Sequence, residues 1–124
     1  MADFKTQNYS SIEVHPLFAG TEVSYLTTSG TVAAGQGVLL RGAVLGRVTE
    51  DDEYKLVDGT ATDGSEVALV VLSEEVDTTD EAVEAVFYKR GLFRYQSLYV
   101  ADGDEVVNHQ QELEAVSIYF KTDY

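Results

Sequence analysis

Apolar positions are scattered along the first third of the chain and come in short bursts along the rest. Gly37-Val38-Leu39-Leu40-Arg41-Gly42 and Ala43-Val44-Leu45-Gly46-Arg47-Val48 are β-branched, apolar and punctuated by glycine. Strand interiors carry glycine where the backbone bends or bulges, so both segments predict strands. A polar turn at Thr49–Glu53 precedes a short strand, Tyr54–Val57, and Asp58-Gly59 and Asp63-Gly64 are further turn signals. The nearly continuous apolar run Val67–Val71 predicts a buried strand. Val83–Lys89 predicts another, broken at Gly91 and followed by Leu92–Tyr95.

Near residue 102 the period changes. Asp102 stands three residues before Glu105, in the manner of a capping box, and Val106, Val107, Gln110 and Leu113 fall on one helical face. This predicts one helix of about three turns, with His109 on its solvated side. Ala115–Phe120 then predicts a final strand. Residues 1–35 show no sustained period. Large apolar residues there stand singly among Ser, Thr, Asn and Gly, which reads as an extended arm suited to adding a strand to a neighbour. The expected fold is mainly β (small α+β): a compact domain of about five to seven short strands, with one helix near the C-terminus and an extended N-terminal arm in front.

Charge sharpens this division. The 124 residues carry a net charge of −14. Residues 49–84 hold thirteen acids against Lys55 alone, whereas residues 1–35 hold three acids and one lysine. The arm can therefore approach an acidic protein at little electrostatic cost, while the body repels phosphate backbones and anionic lipids. Neither a nucleic acid nor a membrane is an expected partner. No apolar run is long enough to span a bilayer, no signal peptide is read at the N-terminus, and there is no cysteine.

No catalytic constellation forms in the sequence. His15 and His109 lie in different segments, and no serine sits in a nucleophile elbow. Glu50–Glu53 and Glu74–Asp77 lack the alternating-ligand, glycine-turn form of a calcium loop. The expectation is a non-enzyme with no cofactor and no bound metal. Phe87–Tyr95 stands out, with three of the eight basic residues and four aromatics. Its aromatics are expected to face the core, and Arg90, Arg94 and Tyr95 are candidates for protein contact.

Phe87-Tyr88-Lys89-Arg90-Gly91-Leu92-Phe93-Arg94-Tyr95 resembles the F-Y-K-x-G-x-F-R-Y stretch of the lambda-like phage head decoration proteins. Arg41-Gly42-Ala43-Val44-Leu45-Gly46-Arg47 is similar to that family's R-G-T-V-L-G-K motif. Asp58-Gly59-Thr60-Ala61-Thr62-Asp63-Gly64-Ser65 resembles its D-x-x-A-T-D-G-S turn. The three motifs occur in the family's order.

The resemblance implies a small, mainly β structural protein that sits as a homotrimer on the outside of an expanded phage capsid. It would occupy three-fold and quasi-three-fold positions and hold the shell against the pressure of packaged DNA. It further implies synthesis in the host cytoplasm, residence on the outer capsid surface of the virion, and an arm that meets the phage major capsid protein. Residues 1–35 would then be the arm and residues 36–124 the decoration domain. Phe4, Tyr9, Ile12, Val14, Leu17 and Phe18 become the expected capsid contacts, and Arg90, Arg94 and Tyr95 the expected contacts between subunits. The alternatives are a virion-displayed adhesin for the host surface and a small calcium-binding or hydrolytic β domain.

Overall fold

The computed structural model describes residues 17–19 and 23–121. Among them are eight strands: β1 (Leu26–Val32), β2 (Val38–Leu39), β3 (Val44–Arg47), β4 (Tyr54–Leu56), β5 (Val70–Leu72), β6 (Val76–Asp77), β7 (Val83–Arg94) and β8 (Ile118–Lys121). One helix, α1 (Gln110–Ala115), follows a 3₁₀ turn at Val106–His109. The mainly β fold with a single helix near the C-terminus agrees with the sequence pattern.

The main sheet runs β1-β4-β3-β5-β7-β8, and β1 also pairs with β7. Five of its strands therefore close into a barrel, with β8 attached outside. The seam between β1 and β7 is its longest pairing, with Leu26 opposite Arg90 and Val32 opposite Val83. A bulge lies between Leu26 and Thr27. The closure is narrow on the β4 side, where only Val32 of β1 pairs, opposite Tyr54, so the rest of that edge of β1 is left unpaired among the described residues.

Two apolar layers follow from strand parity. Leu45, Val70, Leu72, Ala85 and Phe87 fill one layer together with Val32 and Leu39. Val44 and Val71, next in sequence to Leu45 and Val70, point the other way and meet Phe93, Leu98, Val106, Leu113 and Ile118 in the second layer. β3 and β5 are thus buried on both faces, and such strands read as unbroken apolar runs. That accounts for Val70 and Val71 in the run Val67–Val71; the expected buried strand is shorter than the run, only Val70–Leu72, and Val67 ahead of it is exposed.

The structure corrects the predicted secondary structure at four places. Leu26–Val32, assigned to the arm, is the seam strand of the barrel, and Val32 is fully buried. Gly91 does not break a strand, because β7 runs through it. A Cβ at Gly91 would lie 3.0 Å from the Phe93 ring, so the glycine makes room for an aromatic cluster. The helix is a 3₁₀ turn plus six α residues, and Val107 on its expected inner face is exposed. The expected Asp102–Glu105 capping box is absent: neither the 3₁₀ turn nor α1 has a side-chain cap, and it is Asp104 Oδ1 that accepts hydrogen bonds near the entry, from the Glu105 amide at 2.8 Å and from Asn108 Nδ2 at 3.1 Å.

Acidic residues also build the turns. Asp58, Asp63 and Asp77 each accept the backbone N–H and the hydroxyl of the residue two positions on, namely Thr60, Ser65 and Thr79. Hydrogen bonds from the Ser65 hydroxyl and amide, with help from Lys55, hold the Asp63 carboxyl at about 2. A carboxyl lowered on folding adds stability that is present above its ordinary value of 3.8 and is lost as pH falls through the folded value. Asp63→Asn should therefore flatten the acid limb of the stability curve below about pH 4. Urea midpoints of the two proteins measured down to about pH 2 test this. Parallel acid limbs would show that the turn contributes nothing to acid sensitivity.

Candidate functional site

The chain ahead of β1 reaches the body at Leu17–Ala19. These residues lie against the C-terminal half of β7, with Phe18 bridged to Phe93. The Arg94 amide donates to the Leu17 carbonyl at 2.8 Å, and the Ala19 amide donates to the Leu92 carbonyl at 2.9 Å. On its other side this half of β7 pairs in parallel with β8, Gly91 opposite Ile118 through Arg94 opposite Lys121. Gripped on both edges, Gly91, Leu92 and Phe93 are all buried.

The expected partner-contact residues separate in this frame. Phe4, Tyr9, Ile12 and Val14 lie outside the described residues. Leu17 is only 2 % exposed and belongs to the second core layer, beside Val44, Val57 and Phe93. Phe18 is half-buried, its ring stacked on Phe93 with centroids 5.2 Å apart. It also meets Tyr88 edge-on at 5.0 Å and Tyr25 at 5.2 Å. Tyr25 and Leu26 are exposed. Phe18, Tyr25 and Tyr88 thus form an aromatic cluster where the N-terminal segment joins the body, with the exposed Leu26 next in sequence to it. Tyr25 and Leu26 were not singled out from sequence. Their signal was available: two large apolar residues stand directly before the polar stretch Thr27–Thr31.

Arg90, Arg94 and Tyr95 do not share one location. Arg94 lines an open groove of about 720 Å³ with Leu17, Leu40, Arg41, Glu75, Gln96 and Ser97. Neither Arg90 nor Tyr95 lines it. Arg90 is exposed opposite Leu26, while Tyr95 packs on Phe120 with ring centroids 5.1 Å apart. The groove joins two cationic side chains to Leu40, which is exposed on its rim. Such a pairing of guanidinium and apolar surface suits protein contact better than chemistry on a small molecule.

The rim is held in place by the residues of the Arg41–Arg47 motif and by Tyr99. The Leu40 amide donates to the Tyr99 phenol oxygen at 2.7 Å, and the Ala43 amide closes a turn on the Leu40 carbonyl. Burial pushes the Tyr99 hydroxyl up from its ordinary value, partly offset by the Leu40 amide. Gly42 takes φ +99° and its amide donates to the Leu72 carbonyl at 2.9 Å. Gly46, at the other end of the motif, passes so close to the next backbone segment that a Cβ would stand 2.5 Å from the Val67 carbonyl oxygen. Both glycines of the motif are there for close approach of two backbones.

Among the described residues no helix is long and apolar enough to cross a membrane. The family model of the bacteriophage lambda head decoration protein D matches residues 6–118. The match takes in both glycines of the Arg41–Arg47 motif, the Asp58–Ser65 turn and the whole of β7. No curated protein matches the chain.

Proposed function

The chain belongs to the bacteriophage lambda head decoration protein D family and so is a structural, capsid-binding protein of the phage head, and on that premise we propose that it docks as a homotrimer. Its sites are the three-fold and quasi-three-fold positions of the expanded shell, and its role is to hold the shell against internal DNA pressure. The residues ahead of Leu17 are the arm that meets the major capsid protein, with Phe4, Tyr9, Ile12 and Val14 as its apolar contacts. The aromatic surface of Phe18, Tyr25 and Tyr88, at the base of that arm, and the exposed Leu26 beside it in sequence extend the docking face. Arg94 in its groove, with Arg90 and Tyr95, serves contacts between subunits. The reading includes synthesis in the host cytoplasm and no catalytic activity.

The observation that carries the reading is the family match across residues 6–118, and the Leu17–Ala19 attachment supports it. Leu17–Ala19 is itself joined to the edge of β7 by an antiparallel bridge at Phe18, the kind of backbone pairing that strand addition to a neighbour uses. The near-neutral charge of residues 1–35 removes the repulsion that the acidic body would impose. Three arms on one trimer bind with avidity, so each contact can be weak alone.

Pelleting purified protein with expanded, undecorated shells tests the proposal, with unexpanded shells as control. The intact chain should saturate expanded shells only. A chain starting at Leu17 should melt at the same temperature as the intact chain yet stay in the supernatant. Saturation of shells by the shortened chain would refute the arm, and no binding of the intact chain to either shell would refute the docking proposal.

A further inference from the structure

The residue most at odds with its sequence reading is His109. Expected on a solvated helix face, it is only 4 % exposed. Its Nε2 lies 2.6 Å from Asp104 Oδ2 and its Nδ1 lies 2.7 Å from Glu112 Oε1. Each of these oxygens already accepts a backbone N–H from a different part of the chain. Asp104 Oδ2 takes the Gly59 amide at 2.9 Å, and Glu112 Oε1 takes the Ala68 amide at 2.9 Å. The cluster thus joins the 3₁₀ turn and α1 to the Asp58–Ser65 turn and to the approach to β5.

We propose that His109 is held as a doubly protonated imidazolium, a clasp that ties the C-terminal helical segment to the body and is released by alkali. Ionised carboxylates only accept hydrogen bonds, and a neutral imidazole has one N–H. With a neutral ring, one of the two short contacts would set a nitrogen lone pair against an oxygen lone pair in a buried site. With both nitrogens protonated, both contacts are charge-assisted hydrogen bonds. The nitrogens point to carboxylates on opposite sides of the ring, so the three side chains do not converge on a common point where a metal ion could sit.

The charges around the ring agree. Asp104 and Glu112 flank it, and Asp58 on the facing turn adds a further negative charge near Asp104. On the other facing segment Glu66 is turned to the Gly64 amide. Burial alone would push the imidazole down, but the hydrogen bonds and charges of Glu112 and Asp104 outweigh it, and the group stands above its ordinary 6.5. Burial likewise opposes the Asp104 anion. Hydrogen bonds from Asn108, His109 and the Glu105 and Gly59 amides overcome it and hold that carboxyl well below the usual range. A histidine raised on folding contributes stability that is whole below 6.5 and is lost as pH rises through the folded value. The clasp therefore opens on the alkaline side.

Long-range ¹⁵N correlation spectra of the imidazole rings, recorded from about pH 5 to about pH 9, read the protonation directly. A His15→Gln background leaves His109 as the only histidine. Both ring nitrogens should be protonated at neutral pH, with a midpoint above 6.5. Asp104→Asn and Glu112→Gln should each lower that midpoint. Amide exchange protection at Gly59 and Ala68, corrected for the intrinsic pH effect, should fall at least about tenfold across the transition, the ratio carried by one charge-assisted hydrogen bond. A single protonated nitrogen at neutral pH, a midpoint at or below 6.5, or protection unchanged across the transition would overturn the clasp.

Discussion

Replacing Gly42 by alanine should cost this protein about 4 kcal/mol, close to the whole stability of a marginal domain. Two independent penalties meet there. A residue with a Cβ at φ +99° pays about 1–3 kcal/mol for the backbone conformation alone. The new methyl would also overlap the Ser97 carbonyl oxygen, which belongs to backbone and cannot swing aside. Forcing the two segments apart costs roughly 1–3 kcal/mol more and strains the hydrogen bonds from the Gly42 amide to Leu72 and from the Tyr99 amide to Gly42. Gly35→Ala supplies the control, since Gly35 has a similar φ of +85° and open space where the methyl would go. Urea unfolding of both variants separates the terms. Equal losses at the two positions would show that the approach of Ser97 to Gly42 does not matter to stability.

Leu17→Ala should cost about 3 kcal/mol, within the range for emptying a fully packed leucine site, and it should do so with no capsid present. Leu17 was expected on sequence grounds to be an exposed anchor, and an anchor can be truncated without harm to the free protein. Its side chain instead fills the second core layer between the barrel and the C-terminal segment. A deletion ending at residue 20 should be worse than the point substitution. It removes the Leu17 side chain, the stack of Phe18 on Phe93 and the two backbone hydrogen bonds to Leu92 and Arg94. Shell-binding tests on such a deletion would confuse unfolding with lost contact, so the cut belongs ahead of Leu17. Thermal melts of Leu17→Ala decide the matter. An unchanged midpoint with lost shell binding would return Leu17 to the arm.

What the sequence revealed depended on how each element is buried. β7 alternates cleanly from Glu84 to Phe87, exposed then buried, and was legible for that reason. β3 and β5, buried on both faces, announced themselves as apolar runs. β1 was missed because Leu-Thr-Thr-Ser-Gly-Thr-Val buries only its last residue fully. Its place is fixed by backbone pairing with β7 and not by an apolar stripe. The helix was legible in position but not in length, because Val106, His109 and Leu113 are the residues turned inward and one of them is a histidine. No apolar periodicity marks a buried imidazolium. Its trace in the sequence is Asp104 and Glu112, five positions before and three after. The Phe87–Tyr95 stretch pointed to the right family, yet its basic residues went to separate surfaces, since contact with a pocket depends on strand twist and neighbours that spacing alone does not specify.

β7 also governs how the molecule would bear load. Any pull on the chain ahead of Leu17 enters the body through the antiparallel hydrogen bonds to Leu92 and Arg94. From there it passes along a single continuous strand that β8 holds at one end and β1 and β5 hold at the other. Bonds perpendicular to a strand share tension applied along it, whereas a frayed end loses them one at a time. The attachment is the first part to give: drawing Leu17 out breaks the two hydrogen bonds to Leu92 and Arg94 and empties a core site, and only then does tension along the chain reach β1, which seven residue pairs hold to β7.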